Sequence, residues 1–187
     1  RMFGASYDPS AECPNWTAFI ERTIPDPAMR AYVQRACGYS LLGNADQRSL
    51  FVLHGPSGSG KSTFLETLRA VFADYGTTAP TGAFKARRNE VAPTNDLHGL
   101  RGKRFVVTSE TSEQAAFDEE LLKRLTGRDS IQSRELFQTN QEWMPECVLW
   151  IATNHAPKFN SDDDAVWRRL KVIPFPQPVS QVEEIPD

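Results

Sequence analysis

The nine residues Gly55–Thr63, GPSGSGKST, constrain this chain more than any other stretch. They fit the spacing G-x-x-x-x-G-K-[ST]. Glycines at those positions let backbone N–H groups turn inward around an anion, and Lys61 can neutralise terminal phosphates. The Ser62 hydroxyl can ligate magnesium, and a helix starting at Lys61 points its positive end at the same anion. The flanks are those the pattern needs. The apolar run SLFVLH precedes it, and KSTFLETLRAVFADYG follows with Phe64, Leu65, Leu68, Val71, Phe72 and Tyr75 on one helical stripe closed by Gly76. The reading is strand, phosphate-cradling loop, helix, with Gly55, Pro56, Ser57, Gly58, Ser59, Gly60, Lys61, Ser62 and Thr63 as the binding residues. A glycine-rich surface turn would leave Lys61 without a purpose.

Other elements fall around this centre. Residues 1–13 read as a tail or linker. From Pro14 to Leu42 the pattern is helical, with Trp16, Phe19 and Ile20 on one face and Asp26-Pro27 as an N-cap with a first-turn proline. Gly38 and Gly43 are candidate helix ends, so residues 14–45 form a small helical lead-in. A core over 46–175 and a Pro-rich acidic tail over 176–187 complete the division. Within the core, residues 77–102 read as loop, RFVVTS as a strand, and FDEELLKRLTG as a helix ending at Gly127. IQSRELFQTNQEWMP reads as a hairpin turning near Gln138–Gln141, and ECVLWIATN as a buried strand. SDDDAVWRRL reads as a short helix capped by Ser161, and KVIPF as the last strand. Strands alternating with helices predict an α/β fold with a mainly parallel central sheet covered on both faces.

Composition narrows the function classes. With 187 residues the chain can bury a core of its own. Three well-separated cysteines, Cys13, Cys37 and Cys147, form no C-x-x-C pair, which argues against a zinc site and a disulfide framework. No apolar run approaches a membrane span or a signal peptide, so an intracellular, cytoplasmic protein with no membrane partner is expected. The first residue is Arg1, which reads as a piece of a longer protein. A net charge of −3 excludes a surface that is basic all over, so any nucleic-acid contact must be local. Lys85, Arg87, Arg88, Arg101, Lys103 and Arg104 against Glu90 and Asp96 give one local excess of four (six minus two). It reads either as a solvated loop or as a segment near nucleic acid or a subunit interface.

Strand ends should deliver the remaining chemistry. KRFVVTSET ends in Ser109-Glu110, where an adjacent Asp–Glu pair is usual in an ATP site, so one carboxylate must serve. WIATN ends in Asn154, which can orient a water or simply open a turn before Pro157. Trp167-Arg168-Arg169 offers planar guanidinium groups of the kind an arginine finger uses, although neighbouring surface arginines are commonly just solvated. His54, His98 and His155 share no metal-ligand spacing.

The segments GPSGSGKST, KRFVVTSET, LLKRLTGRDSIQSRELF, WIATNHAP and DDDAVWRRLKVIPF, in that order, resemble the superfamily 3 helicase domain. The likeness is to the module found in phage and plasmid primase-helicases and related to the poxvirus one. It runs from about Pro14 to Phe175. The resemblance implies an AAA+-like P-loop NTPase core, a ring of subunits (usually a hexamer), and single-stranded or forked DNA in the pore. It also implies a primase domain in the same full-length chain, and action in the cytoplasm of a bacterial host or at a viral replication site. ATP and Mg²⁺ are the implied cofactors. Lys61 and Ser62 would serve the phosphates and magnesium. Glu110 would polarise the attacking water. Ser109 stands where the magnesium-side Asp is usual; since magnesium keeps several waters, Ser109 can hold one and Glu110 another. Asn154 would be a sensor, and Arg168 or Arg169 the finger in a neighbour's site. The segment Lys123–Gln138 matches the family's DNA-gripping motif, so Lys123, Arg128, Arg134, Gln138, Thr139 and Asn140 become DNA-binding candidates, although the tip QTNQ carries no basic residue. Two other classes remain: a packaging or remodelling ATPase that does not unwind, and a small-molecule P-loop kinase.

Overall fold

Alternation along the first strand decides the layering. In β1 (Leu50–His54), Leu50 and Val52 join one buried cluster, while Phe51 and Leu53 join a second on the other face. A strand buried on both sides belongs at the centre of a covered parallel sheet. The computed structural model describes residues 1–44, 46–86, 97–110, 116–127, 129–133, 141–159 and 163–178. The elements are α1 (Pro14–Thr23), α2 (Pro27–Leu42), β1, α3 (Lys61–Phe72), β2 (Gly76–Thr78), β3 (Phe105–Glu110), α4 (Glu119–Thr126), β4 (Ile131–Ser133), β5 (Gln141–Trp143), β6 (Val148–Thr153), α5 (Asp164–Trp167) and β7 (Leu170–Pro174). Five strands form one sheet in the order β2-β3-β6-β1-β7, with every pairing parallel, and β4 pairs with β5 as an antiparallel hairpin. The expected α/β architecture is what the chain adopts.

One face of the sheet is covered by α1, α2 and α3, packed through Phe19, Val33, Phe64 and Phe72. The other is covered by α4 and the hairpin, packed through Leu121, Leu122, Leu125, Ile131 and Trp143. Asp26 caps α2 by accepting from the Ala28 N–H at 2.9 Å, a contact of a kind that stabilises a helix by about 1 kcal/mol. Among the described residues, no helix is long and apolar enough to cross a membrane.

Several local expectations need correction. Gly38 lies within α2 and does not end it; the helix stops at Gly43, whose φ of 67° suits glycine. α3 ends at Phe72, where Ala73 takes φ 43°, and Gly76 opens a strand instead of capping the helix. That strand lies in the stretch read as loop. It pairs through Thr77 with Val106 and forms one edge of the sheet. Gln141, assigned to the hairpin turn, pairs with Ser133 inside β5. Asp163, not Ser161, caps α5, accepting from the Ala165 N–H at 2.7 Å. Any cap in the run SDDD is chemically competent, and the start of the helix at Asp164 selects among them; Ser161 itself lies outside the described residues. The supposed tail is anchored at its start. Gly4 N–H donates to Val71 O at 2.8 Å, and Phe3 stacks on Tyr75 at 4.8 Å.

Candidate nucleotide site and its neighbours

The loop Gly55–Thr63 is held from three directions. From the sheet, Gly55 N–H donates to Thr153 O at 3.3 Å. From the last strand, Phe175 N–H donates to His54 O at 2.8 Å, and a Cβ on Gly55 would sit 2.0 Å from Phe175 O, so only glycine fits there. From the lead-in, a Cβ on Gly60 would meet Phe19 and Thr23 of α1 at 3.0 Å, and Gly60 has φ 90°. Trp16 stacks on Phe64 at 5.7 Å and so fastens α1 to α3 just behind the loop. The role of Phe19 and Thr23 was not legible in the sequence, because their target lies some 40 residues away and they carry no motif of their own.

Lys61 opens α3 and is only 7% exposed. Its ammonium donates to Gly55 O (2.8 Å), Pro56 O (2.7 Å) and Ser59 Oγ (3.1 Å), which uses all three of its protons. Burial lowers its pKa from the ordinary 10.5, because desolvation disfavours the charged form. Ser62 and Thr63 are exposed on the first turn, where the N–H groups of a helix start have no intrahelical acceptor. The arrangement suits an anion. A phosphate oxygen offers Lys61 a stronger acceptor than a neutral carbonyl, and the helix end adds a favourable dipole. The residues also suit magnesium. Ser62 presents a hard oxygen beside the anion position, and Mg²⁺ takes few protein ligands when phosphate supplies the rest. Among the described residues, no three His, Cys, Asp or Glu side chains gather into a metal cage.

Register places the strand ends abreast. Thr153 stands opposite both Glu110 of β3 and His54 of β1, so all three end at the level of the loop. Asn154 follows immediately and is exposed. Thr153 Oγ1 donates to His155 O at 2.8 Å and accepts from His155 N–H at 3.1 Å, which folds the chain tightly around Asn154. At the end of β3, Thr81 Oγ1 donates to Ser109 O at 2.5 Å and accepts from Thr108 Oγ1 at 3.3 Å. That brace from the β2–β3 connection also had no local signal. The Glu110 side chain, and Arg128, Arg134, Gln138, Thr139 and Asn140, lie outside the described residues.

The two arginines differ. Arg168 is an exposed side chain whose contact is an i,i+4 ion pair with Asp164 at 3.4 Å. Arg169 turns inward, with Nε donating to Thr126 Oγ1 at 3.1 Å and Nη1 to Ala165 O at 2.5 Å. Lys123 is paired with Asp163, and that bond holds the Asp163 carboxyl below its ordinary 3.8. Of the basic run, Lys103 donates to Asp74 O at 2.8 Å. Arg104 donates to Leu41 O at 2.7 Å and lies over the Tyr75 ring at 4.4 Å. Both precede β3, at the end of the sheet away from the loop, and fasten α2 and the turn that follows α3. Arg87 and Arg88 lie outside the described residues.

A family model described as a family of unknown function (DUF5906) matches residues 53–169, from the end of β1 to the start of β7. The chain belongs to this family. Relatives of this DUF5906 chain include "Putative helicase L207/L206" of Acanthamoeba polyphaga mimivirus, 29% identical over 162 residues, 86% of this chain and 17% of that protein. "Putative helicase 121R" of Invertebrate iridescent virus 3 is 28% identical over 186 residues, 96% of this chain and 20% of that protein. The DUF5906 chain thus spans a fifth or less of the length of these relatives. Among solved structures, the C-terminal region of NrS-1 is similar with a TM-score of 0.65 at 15% identity, covering 91% of this chain and 40% of that one. The JCV helicase is similar with a TM-score of 0.55 at 13% identity, covering 85% and 43%. The DUF5906 chain therefore has a helicase-like fold.

Proposed function

We propose that this chain is the ATP-hydrolysing motor domain of a DNA helicase of the superfamily 3 type, acting in replication and working as a ring, usually a hexamer. The observation that carries the reading is the buried Lys61 ammonium, held by three oxygens of a loop that lies level with the ends of β1, β3 and β6. The names of the viral relatives support the same class of activity. A primase domain elsewhere in the full-length chain belongs to this proposal.

In this reading Lys61 and the start of α3 hold the phosphates, and Ser62 holds Mg²⁺, which supplies charge neutralisation when bound. Glu110 orients the attacking water, Ser109 holds a metal-bound water, and Asn154 senses the terminal phosphate. Arg168 is the finger. It precedes Leu170, which pairs with Leu50, whereas the loop begins beyond His54, which pairs with Pro174. About 13 Å of strand separates the two ends, so Arg168 serves a neighbour's nucleotide and not its own. Arg128, Arg134, Gln138, Thr139 and Asn140 contact DNA, and Lys123, which bonds Asp163, is a further candidate contact.

The test is ATP hydrolysis per subunit against protein concentration, with and without single-stranded DNA, on wild type, Lys61→Ala and Glu110→Gln. Hydrolysis should rise with assembly and with DNA. Lys61→Ala should lose nucleotide binding, and Glu110→Gln should lose turnover while keeping it. A maximal rate in a verified monomer would remove the neighbour's finger. Hydrolysis stimulated by DNA without strand separation would favour the packaging or remodelling class.

A further inference from the structure

We infer that α4 and α5 form one lever that carries the state of the hairpin to the neighbour-facing Arg168, with Lys123–Asp163 and Thr126–Arg169 as its joints; the inference rests on the proposed motor reading. α5 has four residues, and a single turn has too little hydrogen bonding to hold itself in place. Its position is therefore set by what it is fastened to. The Asp163 carboxylate at its start bonds Lys123 of α4, while Arg169 just past its end donates to Thr126 on the same helix. Both ends of α5 are thus bonded to α4, beside the Phe159–Trp167 ring contact at 5.1 Å and the Leu50 N–H bond to Arg169 O at 3.0 Å, and Arg168 rides on the segment between the two α4 bonds.

The other end of the lever is equally specific. Arg124 of α4 donates through Nη2 to Ser130 O at 2.8 Å, immediately before β4. Ser130 Oγ in turn bonds Glu142 of β5, and Leu125 packs in one cluster with Ile131 and Trp143 of the hairpin. A displacement of the hairpin strands is passed to α4 through Ser130, and from α4 to Arg168 through the two clamps. The Lys123–Asp163 pair is partly exposed, at 30% and 38%, and ion pairs in that setting add little to stability. Its geometry, one bond at each end of a helical turn, is better suited to fixing position.

The experiment uses Asp163→Asn and Thr126→Val, singly and together, in the whole chain. Asparagine caps a helix as well as aspartate does, so the first change removes the charge and keeps the cap. Valine keeps the volume of Thr126 without its hydroxyl, and Thr126→Ser restores the bond. The readout is the ratio of DNA-stimulated to basal hydrolysis, with thermal unfolding measured alongside. The double variant should keep the basal rate and lose about fivefold or more of the stimulation, the low end of typical coupling between sites, and Thr126→Ser should retain it. A double variant that is stimulated like wild type overturns the lever. So does an equal loss of basal and stimulated rates, which marks general damage. Were the Thr126 changes to unfold the chain, Asp163→Asn alone decides by the same ratio. Absence of DNA stimulation in wild type would sink the motor reading itself, and the lever with it.

Discussion

On the α3 side of the sheet, Trp150 stacks on Phe51 at 4.4 Å and Phe72 on Phe105 at 4.6 Å, with Phe64 tilted against Trp150 at 6.0 Å. On the α4 side, Leu50, Val52, Val106, Leu149 and Ile151 meet Leu121, Leu122 and Leu125, with Phe84, Phe117 and Trp143 in the same cluster. Ring pairs have preferred geometries, whereas aliphatic contacts are non-directional. The first face fixes α3, and therefore the Gly55–Thr63 loop before it, in one orientation. The second is mostly aliphatic, with Phe159 between Phe117 (6.0 Å) and Trp167 (5.1 Å), and adds polar joints between α4 and α5: Thr126 with Arg169 and Lys123 with Asp163. Both faces are deeply buried, and they differ in the share of aromatic stacking.

The largest expected effect tests whether the second face does work for a neighbour. Arg168→Ala should lower hydrolysis by about 10³-fold or more while leaving nucleotide binding intact. A fluorescent nucleotide titration beside the turnover assay checks this, and an Arg168→Ala rate near wild type would return the arginine to plain surface. Next comes the packing contrast. Trp150→Ala should cost about 3–5 kcal/mol in urea unfolding and weaken nucleotide binding, because it removes the ring that α3 leans on. Leu122→Ala should cost about 2–5 kcal/mol and leave nucleotide affinity unchanged. Equal effects on affinity would erase the distinction between the faces.

The cysteines supply a reporter for each face. Cys147 lies within the α4-side cluster and Cys37 packs against the α3-side one. Burial pushes both thiols up to about 12, whereas Cys13 is exposed. Cys13 should react with a thiol reagent at once in native buffer. With rising urea, Cys147 should follow before Cys37, a sequence that peptide mapping resolves; the opposite order would make the aromatic face the looser one. The smallest effect concerns acid. Lys123 holds the folded Asp163 pKa below 3.8, so its contribution to stability is complete above that value and is lost as pH falls through the lowered folded one. Melting temperature between about pH 2 and 5 should fall less steeply for Asp163→Asn than for wild type. Parallel curves would show that the pair adds nothing to stability.

How much of this was legible in the residues depends on range. β1, β3 and β6 announce themselves because a strand buried on both faces must be continuously apolar, and the phosphate loop because nine adjacent residues carry the whole pattern. β2 could not be seen. Gly76–Thr78 has no apolar period and becomes a strand only by pairing with β3. That Arg169 turns inward while Arg168 stays exposed was equally hidden, since it turns on Thr126, 43 positions before Arg169. Lys103 and Arg104 looked like part of a basic surface run, and their actual partners are backbone carbonyls of Asp74 and Leu41. A charge's purpose is set by what folds next to it, and sequence spacing does not carry that.

The contact between α1 and Gly60 has a mechanical consequence. With Phe19 and Thr23 pressed against the back of the loop, the backbone has no room to recoil when a phosphate chain presses into it. In the proposed motor reading, any displacement of the loop on nucleotide entry is directed away from α1. A backstop of this kind turns a binding event into a push with a heading. It also means that trimming Phe19, a residue that touches no ligand, would soften the push without altering a single phosphate contact.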